Sequence, residues 1–109
     1  MTDLILVLTT MPDDARAEAL ARALVEEKLA ACVSMTAPMT STYRWQGAVE
    51  QARERQLIIK TSAPHLDRLE ARLKALHPYE LPEFVILRGE ASDDYGGWVR
   101  AETVARDDG

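Results

Sequence analysis

The chain has 109 residues, 47% hydrophobic and 28% charged, enough for one domain over residues 1–109 with a real core, in the size range where oligomerisation helps appreciably. A formal net charge of −5 argues against nucleic acid or an anionic membrane as the primary partner. One cysteine, Cys32, excludes an internal disulfide and an all-cysteine zinc site within one chain, and suits a reducing compartment. With no basic leader, no apolar run of spanning length and no lipidation signal, a cytoplasmic location is expected.

Leu4-Ile5-Leu6-Val7-Leu8 is a continuous apolar run, which predicts a central strand covered on both faces and ended by Thr9-Thr10-Met11-Pro12. Asp13 then caps a helix in which Ala17, Leu20, Ala21, Leu24, Val25 and Lys28 recur at helical spacing, ending near Leu29-Ala30-Ala31. Cys32 falls at the junction with the next strand, where a buried structural thiol is the plain reading and a metal or redox ligand the sharper one.

From Cys32 to Ser62 the pattern alternates. Val33, Met35, Ala37, Met39, Tyr43 and Trp45 are apolar or small with polar residues between them, and Val49, Leu57, Ile59 and Thr61 keep the odd phase in a second arm. Two long strands folded back around Gly47 result. A three-residue loop pairs Trp45 with Val49, Ala37 with Leu57 and Met35 with Ile59 and matches the apolar faces, so that register is expected. Pro38 supplies no ladder donor and belongs on an edge strand or at a bulge. Each arm is roughly twice the common strand length of about 5–6 residues. A domain this small cannot cover both arms, so another chain is expected to cover the overhang.

Ser62 and Pro64 then open a second helix with Leu66, Leu69, Leu73 and Leu76 as its buried stripe and Glu70 and Lys74 paired outside. His65 reads as a solvated first-turn residue. Pro78 stops this helix. Phe84-Val85-Ile86-Leu87 reads as another buried strand, and Ser92 opens a short final helix that Gly96-Gly97 weaken. The tail from residue 105 is expected to fray. The order is β-α-β-β-α-β with a short C-terminal helix: an α+β, ferredoxin-like sandwich with a long central hairpin.

Fold alone names no function. There is no phosphate-cradling loop, no nucleophile elbow and no His-Glu-x-x-His helix, and the aromatic pair that stacks RNA bases on such a sheet is missing from the first and third strands. What stands out is Leu76-His77-Pro78-Tyr79-Glu80-Leu81-Pro82-Glu83, a dense set of histidine, tyrosine, carboxylates and prolines, whose plainer reading is a rigid connector satisfied locally. Lys60, ending an apolar run, is either an exposed charge or an amine paired with Glu50, Glu54 or Glu83.

Leu29-Ala30-Ala31-Cys32-Val33, Tyr43-Arg44-Trp45-Gln46-Gly47, Ile58-Ile59-Lys60-Thr61, His77-Pro78-Tyr79-Glu80-Leu81-Pro82-Glu83 and the spaced Tyr95 and Trp98 together resemble the CutA divalent-ion (copper) tolerance proteins, over nearly the whole chain. The resemblance implies a non-enzymatic homotrimer whose long hairpins complete intersubunit sheets, much as in PII signalling proteins. It further implies binding of divalent cations, copper above all and zinc in second place, and an intersubunit cleft. Tyr43, Glu50, Lys60, His77, Tyr79 and Glu83 match the polar lining of that cleft, and His77 is the expected principal metal ligand, helped by Glu80 or Glu83. Some members carry a cysteine near the end of the first strand and a second histidine before the motif, where this chain has Thr9 and Leu76. The family's usual Pro-Gly in the first hairpin arm is Ala37-Pro38 here, and Gly96-Gly97 replaces bulkier residues. One imidazole per subunit makes a weak copper site. The second functional reading is a PII-like regulatory or scaffolding trimer whose cleft takes a small anion, with Lys60 as its anchor, or an unidentified protein partner.

Overall fold

The computed structural model describes residues 1–103 of the chain. The elements are β1 (Thr2–Pro12), α1 (Ala15–Glu26), β2 (Cys32–Met35), β3 (Met39–Trp45), β4 (Ala48–Thr61), a 3-10 turn (Ala63–His65) leading into α2 (Leu66–Leu76), β5 (Val85–Ala91) and α3 (Asp93–Glu102). The sheet runs β2-β4-β1-β5, with β3 extending the β2 edge along β4. This is the expected ferredoxin-like order. The expected fraying tail lies outside the described residues.

β1 is the central strand and is longer than the apolar run suggested. Thr9, Thr10 and Met11 continue it, because their backbone pairs with Leu57, Gln56 and Arg55 of β4. Antiparallel neighbours directly opposite each other share a face, so Ile5, Val7 and Met11 join Leu57 and Ile59 on one side. There Leu20 and Leu24 of α1 and Leu69 and Leu73 of α2 close the core. The other face of β1 is less covered: Leu4, Leu6 and Leu8 are half-buried. α3 packs at one end of that face. A Cβ on Gly96 would come within 2.5 Å of the Thr2 side chain, which explains why glycine is compatible with the helix there, and Thr103 meets Ser62 at 2.9 Å.

Several expectations are corrected by local chemistry. Asp14, not Asp13, caps α1, accepting from the Arg16 backbone N–H at 2.9 Å, while Asp13 is drawn to Arg55 at 2.9 Å. α1 ends at Glu26, because Lys28 turns left-handed (φ 61°) and the Leu29 N–H reaches back to the Leu24 carbonyl at 2.9 Å, a Schellman reversal. Cys32 is half-buried at the start of edge strand β2, and His65 is buried rather than solvated. β5 is an edge strand with Val85, Ile86 and Leu87 exposed, not a buried one.

The hairpin register also differs. Trp45 pairs with Ala48 across a two-residue turn in which Gln46 (φ 49°) and Gly47 (φ 82°) are both left-handed, the turn geometry that suits strand twist. From Met39 paired with Glu54 the register moves to Met35 paired with Leu57, so three residues face two. That one-residue bulge holds Pro38, and the Thr36 side chain accepts from the Gln56 N–H at 3.0 Å.

Candidate functional site

Met39, Tyr43 and Trp45 of β3 stand opposite Glu54, Glu50 and Ala48 of β4, so these side chains share one face of the hairpin. The connector after α2 wraps the end of β1 and closes the same space. Together they enclose a cavity of about 850 Å³, open to solvent, which Tyr43, Glu50, Tyr79, Glu80 and Glu83 all line. Five of the seven residues singled out in the sequence are thus brought together.

His77 lies just behind this cavity, buried at 8% exposure. Its Nε2 stands 2.8 Å from the Thr10 carbonyl and 3.4 Å from the Thr9 hydroxyl, and its Nδ1 accepts from the Tyr79 backbone N–H at 3.1 Å. A carbonyl can only accept, so Nε2 carries the proton and Nδ1 the lone pair. Burial lowers the basicity of the ring, against the pull of the Thr10 carbonyl and the Glu54 charge. Thus the imidazole expected as the principal metal ligand is engaged by protein at both nitrogens.

Tyr79 is tied to the hairpin. Its hydroxyl donates to Glu54 at 2.6 Å, and burial, followed by this bond to a carboxylate, raises its pKa well above the ordinary tyrosine value. Glu83 accepts from the Gln56 amide at 2.9 Å, and the same amide donates to the Thr9 carbonyl at 2.9 Å. Connector, β1 and β4 are therefore locked together by side chains that sequence reasoning had partly overlooked. The sequence offers Glu54 only as a candidate partner for Lys60 and does not single out Gln56. A polar residue at an interior strand position was the available signal, and it does not say which groups meet it.

Lys60 stands elsewhere. It shares the face of β4 that carries Glu54 and Gln56 but stands toward the other end of the strand, with its amine 5.8 Å from the Tyr95 ring centroid, and does not line the cavity. Arg44 is the basic residue in the wall, against Glu50, Glu54, Glu80 and Glu83. Among the described residues no three His, Cys, Asp or Glu side chains converge as a metal cage. Nor is any described helix long and apolar enough to cross a membrane.

Comparison with known proteins bears on this arrangement. A family model described as CutA1 divalent ion tolerance protein matches residues 5–102. The divalent-cation tolerance protein CutA of Thermus thermophilus is 46% identical over 98 residues, covering 89% of this chain and 95% of the relative, and that of Pectobacterium atrosepticum is 41% identical, covering 93% of each. Among solved structures, CutA from Xylella fastidiosa superposes with a TM-score of 0.89 at 43% identity, covering 94% of this chain and all of the other. A PII-like protein CutA from Nostoc sp., in apo form, does so at 0.86 and 39% identity, covering 92% and 97%. With the family model matching residues 5–102 and relatives at 41% and 46% identity over about nine-tenths of its length, the chain belongs to the CutA1 divalent ion tolerance family.

Proposed function

We propose that this chain is the subunit of a non-enzymatic, cytoplasmic homotrimer that binds divalent cations, copper and zinc among them, weakly at the cavity beside the hairpin. The observation that carries the reading is the sign of the cavity wall: four carboxylates, Glu50, Glu54, Glu80 and Glu83, against one guanidinium, Arg44. The relatives named for divalent-cation tolerance agree with it. Glu80 and Glu83 are the carboxylates from the connector, and His77 can join them only by giving up the Tyr79 N–H at Nδ1. Such a site is weak, because Cu(II) favours several converging nitrogen and oxygen donors.

Calorimetric titration with Cu(II), and with Zn(II) in parallel, tests this. Dissociation constants of roughly 10 μM or weaker are expected. Glu83→Gln and His77→Ala should each weaken uptake further, and acidification should do the same by protonating the donors. Tight uptake that survives both substitutions would place the cation elsewhere.

A second reading, a PII-like regulator that takes an anion or a protein partner, is suggested by the Nostoc relative. It is the weaker one, since Lys60, its intended anchor, stands over Tyr95 instead of in the cavity.

A further inference from the structure

We propose that the cavity beside the hairpin accepts an organic ammonium ion of the diamine or polyamine class, with Glu54 as its anionic anchor. The inference rests on this cavity being the ligand site and goes on to name a chemistry for its occupant. Glu54 is 7% exposed, yet the partner of its carboxylate is a neutral one, the Tyr79 hydroxyl at 2.6 Å on Oε2. The nearest basic residues along the strand, Arg53 and Arg55, both turn to Asp13, at 3.8 and 2.9 Å. Among the described residues no cationic side chain comes within ion-pair distance of Glu54. A carboxylate buried this deeply without a counter-charge is destabilising, and a bound cation offsets that cost.

The rest of the wall defines what kind of cation. A bare divalent ion wants several oxygen or nitrogen donors converging on one point, and no such trio is present among the described residues. The carboxylates are instead spread along a space of about 850 Å³, the size that suits a small organic molecule. The same wall carries the aromatic residues Tyr43, Trp45 and Tyr79. Aromatic rings attract ammonium groups, and apolar walls accept the methylene stems that join them. Glu50 is well placed for a second positive charge, since it stands on the same face of β4 as Glu54, four residues along the strand.

Calorimetric titration of the full-length chain with spermidine at low ionic strength is the test, with Zn(II) run in parallel. Saturable uptake of one spermidine per chain is expected. Glu54→Gln keeps an acceptor for Tyr79 while removing the charge, and should weaken uptake roughly tenfold or more, as loss of a charge-assisted contact does. Tyr43→Ala, at an exposed hairpin position, should weaken it as well and decides the matter if the buried variant misfolds. Glu18→Gln, on the outer face of α1, should leave it unchanged. A flat spermidine titration overturns the proposal, and it is also the result expected if a neighbouring copy supplies the cation at Glu54. Equal weakening by Glu18→Gln overturns it too, because it would show attraction to net charge alone. Zn(II) uptake without spermidine uptake sinks this inference and leaves the metal reading standing, and spermidine uptake without metal uptake does the reverse.

Discussion

His77 is held neutral by its surroundings, and in one tautomer. Burial draws its pKa below the ordinary value of 6.5, and the Thr10 carbonyl and Glu54 carboxylate oppose that without cancelling it. A second proton would sit on Nδ1, where the Tyr79 N–H already donates, so protonation breaks the bond that sets the connector's path. His65 is depressed as well, by burial first and the charge of Arg68 second. Because the unfolded chain takes up these protons more readily than the folded one, stability is complete above about pH 6.5 and is lost as the pH falls below it. Thermal unfolding at pH 7.5 and 5.5 should show a lower melting temperature at the acid value. His77→Gln, though less stable throughout, should show a smaller drop between the two. An unchanged drop would mean that His77 does not titrate differently in the folded state.

At the level of elements, the two glycines of α3 make opposite predictions. Gly96 lies against Thr2 with no space for a methyl group, whereas a Cβ on Gly97 meets nothing within 4 Å among the described residues. Gly97→Ala should therefore stabilise by roughly 1 kcal/mol through helix propensity. Gly96→Ala should destabilise by about 1–2 kcal/mol, since overpacking against β1 outweighs the same propensity gain. Chemical denaturation of both variants checks the pair, and two changes of the same sign would mean that α3 does not sit on Thr2. Sequence periodicity could not distinguish these glycines, because the difference lies in a contact 94 residues away in the chain. The hairpin shows the same limit more sharply. Its odd-numbered apolar residues read as one continuous face, but the bulge at Pro38 exchanges faces. Val33 and Met35 pack against the core beneath the helices, while Met39, Tyr43 and Trp45 line the cavity. The order of elements and both main helices were legible from local pattern, whereas the gathering of the connector with the hairpin was legible only through the family resemblance. The register and the Glu54–Tyr79 and Gln56–Glu83 bonds were not, because they depend on one inserted residue and on neighbours brought together only by folding.

For the whole molecule, the decisive feature is apolar surface on the wrong side of an antiparallel sheet. Such a sheet with one wet face normally alternates apolar and polar residues, yet β1 presents Leu4, Leu6 and Leu8 opposite the face that α1 and α2 cover. On the same side Leu87 is 45% exposed and Val85 43%, and Trp98 of α3 is 43% exposed. Beyond Glu54 the hairpin also outruns β1, which ends where Pro12 pairs with it, so among the described residues the remaining length of β4 lacks a neighbour on that side. Free edges and an uncovered apolar face both favour association, and a closed ring of copies covers them together. Sedimentation equilibrium in neutral buffer should therefore give three times the 12.2 kDa chain mass, with no dissociation on dilution into the nanomolar range. Charge placed in the middle of the patch should break the ring: Leu6→Glu is expected to shift the mass toward the monomer, whereas Glu18→Gln, on the covered side's outer helix, leaves it trimeric. A dimeric parent would keep the apolar face as the contact but rule out the three-fold ring. A monomeric parent would mean that this face tolerates water and that the hairpin projects unsupported.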